Sequence, residues 1–104
     1  HTWVGADRVE FGVHQGKVQG VNLLFIHHLD FFPHVYPSGT PDYNLKVIVF
    51  FARAALEMCC QYQIVPAIAV TNDWFTGLVP AYAKVGAFGT TFSGTTFVHI
   101  VHNL

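Results

Sequence analysis

Two short polar clusters in this sequence could act on a ligand that carries hydroxyl groups. Thr71-Asn72-Asp73-Trp74 follows one apolar run, and His102-Asn103 follows another. The carboxylate of Asp73 can accept hydrogen bonds from hydroxyl groups, whereas the imidazole of His102 and the carboxamide of Asn103 can both donate and accept them. These three residues are therefore candidates for contact with a sugar hydroxyl or a phosphate oxygen.

Each cluster also has a purely structural interpretation. Asp73 precedes a predicted helix, and a carboxylate at that place commonly caps the helix by accepting a hydrogen bond from a free backbone N–H group. His102 and Asn103 can equally belong to a turn that satisfies its own polar groups. Trp74 is expected to pack in the core rather than to form a wall of a ligand site. The two clusters by themselves leave both interpretations open.

Metal and nucleophile chemistry are not expected. His99 and His102 are three residues apart, so on a strand they point to opposite faces, and no third ligand has a suitable spacing. Cys59 and Cys60 are adjacent, which suits neither a CxxC metal pair nor a relaxed disulfide. We predict two buried thiols of an intracellular protein. The sequence contains no GxSxG, GxGxxG or Walker motif, and we expect no metal and no cofactor.

The elements that must position these clusters alternate between strands and helices. In chain order we predict strands at 9–14 and 21–27, a helix from Asp42 or Asn44 to about Tyr62, a strand at 64–70, a helix at 74–85 and a strand at 95–101. Gln15-Gly16-Lys17 is the predicted turn of a leading β-hairpin. Pro80 is expected to disturb the second helix and Gly86 to end it.

This order predicts an α/β fold with a Rossmann-like parallel sheet. Its parallel strands are expected to carry Phe25, Ile68 and Ile100. Ligands of such sheets bind beyond the carboxyl ends of the strands, where both polar clusters and a third one, His27-His28-Leu29-Asp30, would lie. A proline- and glycine-rich loop from Asp30 to Tyr43 is long enough to suggest a function.

The composition indicates apolar surface that a lone small domain cannot cover. Hydrophobic residues make up 52% of the 104 residues and charged residues only 11%, against about 25% charged in ordinary soluble chains. The first predicted helix is apolar on nearly every side, which favours burial on more than one face. We therefore expect a piece of a larger domain, with a tight homo-oligomer as the alternative. The start at His1, without methionine or a signal-peptide pattern, suggests an excised segment.

Nucleic-acid and membrane partners are not expected. The net charge is −1 with neutral histidines, so no electrostatic attraction to phosphate is indicated. The apolar stretch from Leu45 to Met58 is interrupted by Lys46, Arg53 and Glu57, and it is shorter than the roughly 20 residues of a membrane span.

Four segments, in this order, resemble motifs of the glycogen and starch synthase family. The segment at 30–37 resembles the one before that family's first long helix, and 51–57 resembles its FxRAALE-like run. Residues 70–82 resemble the pattern HDWHxxLxPxY, and 99–104 resemble a strand that ends in a TxHNL-like sequence. The resemblance covers nearly the whole chain.

The resemblance implies an incomplete N-terminal half of a GT-B fold over residues 1–104. Such enzymes transfer glucose from ADP-glucose or UDP-glucose to the non-reducing end of an α-1,4-glucan and retain the α configuration. By resemblance, Asp73 and His102 are catalytic and Asn103 binds the substrate, because they match positions that contact the transferred glucose. Tyr36 matches a tyrosine on the acceptor side of the cleft. His102 would position the sugar and stabilise an oxocarbenium-like transition state.

The chain departs from the family pattern at two positions, because Asn72 and Phe75 replace the two histidines of HDWH. Both positions are expected to matter least if they have left the site. The KxGGL phosphate loop and the C-terminal domain are absent from the 104 residues, so the chain should be inactive by itself. The resemblance implies an α-glucan, a nucleotide sugar and the missing C-terminal domain as partners, in the cytoplasm or a plastid. The fragment could also self-associate.

The departures keep two alternatives open. One is a non-catalytic glucan-binding or assembly module that retains the fold. The other is a related GT-B enzyme with a different sugar donor or acceptor.

Overall fold

The computed structural model describes residues 1–28, 31 and 41–102 of the chain. Its elements are β1 (Thr2–Val4), β2 (Asp7–Val9), β3 (Gly12–Val18), β4 (Val21–His27), α1 (Pro41–Gln61), β5 (Ile68–Asn72), a 3₁₀ turn (Trp74–Thr76), α2 (Leu78–Lys84) and β6 (Thr96–Ile100). Within the described residues, β1 pairs with β2 and β3 with β4 in antiparallel hairpins, while β5 pairs with β6 in parallel. The predicted α/β class with a leading hairpin and a parallel sheet is confirmed.

The longer hairpin turns later in the sequence than predicted. Strands β3 and β4 pair from Gly12 opposite His27 to Val18 opposite Val21, so the turn lies at Gln19 and Gly20. Both turn residues have positive φ angles, 51° and 81°, as a two-residue hairpin turn that follows the sheet twist requires. The predicted turn at 15–17 is therefore wrong, and the predicted strand at 9–14 has the wrong bounds, because β3 covers only residues 12–14 of it.

The glycine that suggested the earlier turn lies inside a strand. A Cβ atom at Gly16 would come within 3.6 Å of the Phe25 ring, so this aromatic side chain lies against the glycine and covers it. An additional hairpin, β1 and β2, was not predicted; its turn contains Gly5 with a φ of 61°.

The parallel sheet contains β5 and β6, with Ile68 opposite Thr96 and Asn72 opposite Ile100. The strand that carries Phe25 is not part of it, since β4 pairs with β3 in the described part of the chain. The prediction of three parallel strands is wrong in this respect. The two-residue turn before β4 commits that strand to an antiparallel partner, and hydrophobic pattern cannot distinguish the two kinds of pairing.

Helix α1 lies between two apolar clusters, as its nearly uniform hydrophobicity predicts. On one side, the fully buried Phe50 contacts the rings of Phe11, His28 and Phe31. The other side belongs to a second cluster, whose buried members are Ala52, Leu56, Val79, Ala83 and Phe92. The helix therefore supports the hairpins on one side and α2 with the parallel sheet on the other.

The ends of α1 follow from local chemistry. Pro41 occupies the first position, where no backbone donor is needed, and Asp42 places a carboxylate near the positive end of the helix dipole. At the other end the amides of Gln63 and Ile64 donate to the carbonyls of Cys60 and Cys59, which is a Schellman motif with Gln63 at a φ of 57°. The chain reaches β5 only after this motif, so that strand begins at Ile68 rather than at 64.

The second predicted helix is divided in two. A 3₁₀ turn ends at Thr76, and α2 begins at Leu78. Pro80 lies in the first turn of α2, where its missing N–H group leaves no hydrogen bond unmade, so it does not disturb the helix. Gly86 follows with a φ of 87° and ends α2 as predicted. Neither α1 nor α2, the two α-helices of the described chain, is long and apolar enough to cross a membrane.

Candidate functional site at the carboxyl edge of the parallel sheet

Asp73 and His102 lie just beyond the same edge of the parallel sheet. Strand β5 ends at Asn72 and β6 ends at Ile100, and these two residues are register partners. The amide of Asp73 donates to the carbonyl oxygen of Ile100 over 2.7 Å, which ties the turn after β5 to the end of β6. The structure therefore brings the two predicted catalytic residues to one edge. The other two predicted site residues, Tyr36 and Asn103, lie outside the described residues.

Asp73 has a strained backbone at the strand–helix junction. Its φ is 65° and its ψ is 179°, a region that is essentially restricted to glycine. Its Oδ1 accepts a hydrogen bond from the amide of Trp74 at 2.9 Å, so the predicted capping role is confirmed. The second carboxylate oxygen has no hydrogen-bond partner among the described residues, and it remains available to a ligand. Capping and ligand binding are thus compatible at this residue.

His102 contacts Asn72, one of the two positions at which the chain departs from the family motif. Its Nε2 atom lies 3.2 Å from Oδ1 of Asn72, and both residues are exposed. Position 72 therefore keeps a side-chain contact with one of the predicted site residues. Asn72 was not among the predicted site residues, because the comparison with the family motif noted only that the histidine is missing there. Asparagine nevertheless retains a side-chain acceptor.

Phe75, the second departure from the motif, packs against helix α1. Its ring centroid lies 5.4 Å from that of Phe51 in α1, and its side chain is half-buried. The apolar side chain thus holds the 3₁₀ turn against α1. Trp74 lies next to it at 5.7 Å but is 55% exposed, so the prediction that Trp74 packs in the core is wrong.

His99 belongs to a different contact from His102. Its Nδ1 atom lies 2.8 Å from the hydroxyl oxygen of Thr71, its register partner on β5. Among residues 1–28, 31 and 41–102, no three histidine, cysteine or carboxylate side chains are grouped closely enough to hold a metal ion.

The third polar cluster does not join this edge. His27 is the last residue of β4, which belongs to the hairpin, His28 follows it, and Asp30 lies outside the described residues. His28 packs between aromatic rings, with centroids 4.6 Å from Phe31 and 5.2 Å from Phe50. This histidine therefore has a packing role in the hairpin–α1 cluster.

A cavity of about 300 Å³ lies between α1 and β5, next to the candidate site. Its lining is largely apolar and includes Phe51, Leu56 and Val79, with Asn72 at its border. Neither Asp73 nor His102 lines it. The cavity therefore suits apolar side chains rather than a sugar.

The two cysteines have the properties of structural thiols. Burial raises the pKa of Cys59, and the neighbouring Cys60 raises it further. Burial also raises the pKa of Cys60, with a contribution from Glu57, while a hydrogen bond with Thr91 opposes it. Both thiols are free. Because the thiolate is the nucleophile, these pKa shifts disfavour a catalytic role.

Comparison with known proteins identifies relatives of the chain. Residues 1–104 match the family model described as the starch synthase catalytic domain. The chain is 31% identical over 107 residues to a glycogen synthase of Aeromonas salmonicida, a match that covers 98% of this chain and 22% of the relative. It is 41% identical over 94 residues to a glycogen synthase of Clostridium kluyveri, covering 89% of this chain and 20% of the relative.

A solved structure agrees with these matches. The catalytic domain of starch synthase IV from Arabidopsis thaliana, bound to ADP and acarbose, superimposes with a TM-score of 0.78 at 26% identity, covering 98% of this chain and 21% of that one. The chain thus spans about a fifth of the length of its relatives. Together, the match along all 104 residues and the shared fold show that the chain belongs to the glycogen and starch synthase family of glycosyltransferases.

Proposed function

We propose that this chain is part of the N-terminal Rossmann-like domain of an enzyme that transfers glucose from ADP-glucose or UDP-glucose to the non-reducing end of an α-1,4-glucan, with retention of configuration. The observation that carries the proposal is the placement of Asp73 and His102 at one carboxyl edge of the parallel sheet, where α/β folds bind their ligands. The relative from Arabidopsis thaliana, which was solved with ADP and acarbose, supports a nucleotide and a sugar-like ligand as partners.

Two residues carry the proposed chemistry. The carboxylate oxygen of Asp73 that does not cap the 3₁₀ turn accepts hydrogen bonds from glucose hydroxyl groups. His102 forms a hydrogen bond with the transferred glucose and stabilises the charge that develops in the transition state. Asn103 and Tyr36 bind the transferred glucose and the acceptor. The proposed reaction requires neither a metal nor a cofactor from this chain.

The rest of the proposed enzyme lies outside this chain. Relatives are about five times longer. In this proposal, the segments that hold the nucleotide belong to the other four fifths. The 104 residues are therefore inactive by themselves in this proposal. The free thiols of Cys59 and Cys60 fit an intracellular location.

A chimeric enzyme tests the proposed function. The matching segment of the Aeromonas salmonicida glycogen synthase, which aligns with 98% of this chain, is replaced by these 104 residues. We expect a folded chimera that transfers glucose from a nucleotide sugar to glycogen, whereas the isolated chain transfers none. A chimera that melts cooperatively and binds glycogen without transferring glucose would instead favour the non-catalytic module.

We also propose that the isolated chain self-associates through one face of the parallel sheet. This face carries four apolar side chains that are 42–64% exposed: Ile68, Val70, Val98 and Ile100. Parallel sheets are normally covered on both faces, so this one lacks a layer. Replacing all four residues by threonine should lower the apparent mass in light scattering. The double variant Val18→Thr and Val21→Thr, on the exposed hairpin end, is the control and should leave it unchanged.

A further inference from the structure

Hydrogen bonds and strand pairing hold the backbone of Asn72 in place. It is the last residue of β5 and lies opposite Ile100 in the sheet register. Its carbonyl oxygen accepts a hydrogen bond of 2.6 Å from the hydroxyl group of Thr76, and the next amide, that of Asp73, donates to Ile100. The backbone that carries the Asn72 side chain is therefore held by the 3₁₀ turn and by β6.

From this position, the side chain of Asn72 contacts His102. Its Oδ1 atom lies 3.2 Å from Nε2 of the imidazole, across 30 residues of sequence. An amide oxygen accepts but cannot donate, so the hydrogen in this contact belongs to Nε2. In the neutral ring, Nδ1 then carries the lone pair, and the contact limits rotation of the ring about its side-chain bonds.

We propose that Asn72 is a positioning residue for His102. It holds the imidazole by Nε2, so that Nδ1 is the ring nitrogen presented to the transferred glucose. The catalytic consequence rests on the proposed function, whereas the contact itself does not. This role explains how the chain departs from the HDWH pattern at position 72 and still orients His102: an uncharged acceptor of short reach replaces the histidine.

Nuclear magnetic resonance of the 104-residue chain, labelled with ¹³C and ¹⁵N in histidine, tests the contact without any activity. His102 is assigned by its loss in His102→Gln. In Asn72→Leu, which has a similar volume but no acceptor, we expect the His102 Nε2 resonance to move and the ring to become more mobile in ¹³C relaxation. Asn72→Asp, which keeps an oxygen at the same reach, should restore the restricted ring.

His99 serves as the internal control in these spectra, because its partner is Thr71 and not Asn72. Its resonances should be unchanged in wild type, Asn72→Leu and Asn72→Asp, which would show that the sheet is intact. If the His102 resonances and mobility are the same in wild type and Asn72→Leu while His99 is unchanged, the proposal is wrong. If the isolated chain gives no dispersed spectrum, the same labelled comparison in the chimera decides the question.

Kinetics of the chimera test the positioning role. Asn72→Leu should lower kcat for glucose transfer about three- to tenfold with little change in KM, as expected for the loss of one exposed hydrogen bond that orients a catalytic group. Asn72→Asp should recover most of the rate. If His102→Ala abolishes transfer and Asn72→Leu leaves kcat unchanged, the positioning role is overturned. If His102→Ala itself leaves kcat unchanged, the failure lies in the proposed function, and the spectra still decide the contact.

Discussion

Nζ of Lys84, at the end of α2, lies 2.7 Å from the carbonyl oxygen of Thr95, immediately before β6. The same ammonium group donates to the carbonyl of Phe92 at 2.9 Å and lies 5.6 Å from the ring centroid of Phe97. One side chain thus fastens the loop that leads to β6, and β6 leads to His102. The position of the candidate site therefore depends on a lysine at the opposite end of the sheet.

Lys84→Met should destabilise the chain by about 1 kcal/mol, because it removes charge-assisted hydrogen bonds that are partly accessible to water. Chemical denaturation measures the free energy of unfolding. Lys17→Met is the matched control, since Lys17 lies on the exposed hairpin without a polar contact among the described residues, and it should change stability by less than about 0.5 kcal/mol. Equal effects of the two substitutions would show that the Lys84 contacts contribute nothing.

The strained backbone of Asp73 leads to a second prediction about stability. At a φ of 65° and a ψ of 179°, any side chain with a Cβ atom is strained. Asp73→Gly and Asp73→Ala both remove the carboxylate that caps the 3₁₀ turn, but only glycine also relieves the strain. Asp73→Gly should therefore be more stable than Asp73→Ala by about 1–3 kcal/mol. Equal unfolding free energies of the two variants would contradict a strained Asp73.

The sequence predicted the main elements because their signals are local. The length of α1 and its burial on two sides followed from an apolar run, and Gly86 ended α2 as its conformational freedom suggests. The placement of Asp73 and His102 at one edge followed from strand–helix alternation. Each of these predictions needs only neighbouring residues or a general rule of α/β folds.

The errors came from pairings that the sequence does not encode locally. Gly16 looked like a turn, although the Phe25 ring from the facing strand covers it within a strand. The assignment of β4 to the parallel sheet failed because an apolar strand has the same pattern in a hairpin. The contact between Asn72 and His102 depends on the register of β5 against β6, which no motif contains. The loop from Asp30 to Tyr43 falls mostly outside the described residues, so its proposed function stays a prediction.

Because the pKa of Cys59 is raised, the stability of the folded chain should decrease at alkaline pH. Burial, and after it the neighbouring Cys60, raises the pKa of the Cys59 thiol in the folded chain above its ordinary value of about 9.0. The unfolded chain therefore loses the thiol proton first as the pH rises above about 9. Stability from this group is complete below that pH and is lost as the pH rises through the folded pKa.

The measurement for this prediction is the free energy of unfolding from pH 8 to pH 11. Wild type should lose stability more steeply than Cys59→Ala over this range. Cys60→Ala should show a smaller difference from wild type, because Cys60 is less buried and its hydrogen bond with Thr91 opposes the shift. Parallel curves for wild type and Cys59→Ala would contradict the assignment.

In the active chimera, His102→Ala should lower kcat for glucose transfer by a factor of roughly 10² to 10³, the usual loss when one group that stabilises a developing charge is removed. A contact that strengthens as charge develops acts on the transition state, so donor binding should weaken far less than turnover. Asp73→Asn should lower kcat in the same direction but less, because an amide oxygen can still cap Trp74. His99→Ala is the matched control: it removes a nearby histidine, which lies within β6 and has Thr71 as its partner. Thermal melting checks that each variant is folded. If folded His102→Ala keeps the turnover of His99→Ala, the catalytic pocket does not lie at this strand end, and the non-catalytic glucan-binding module becomes the better interpretation of the fold.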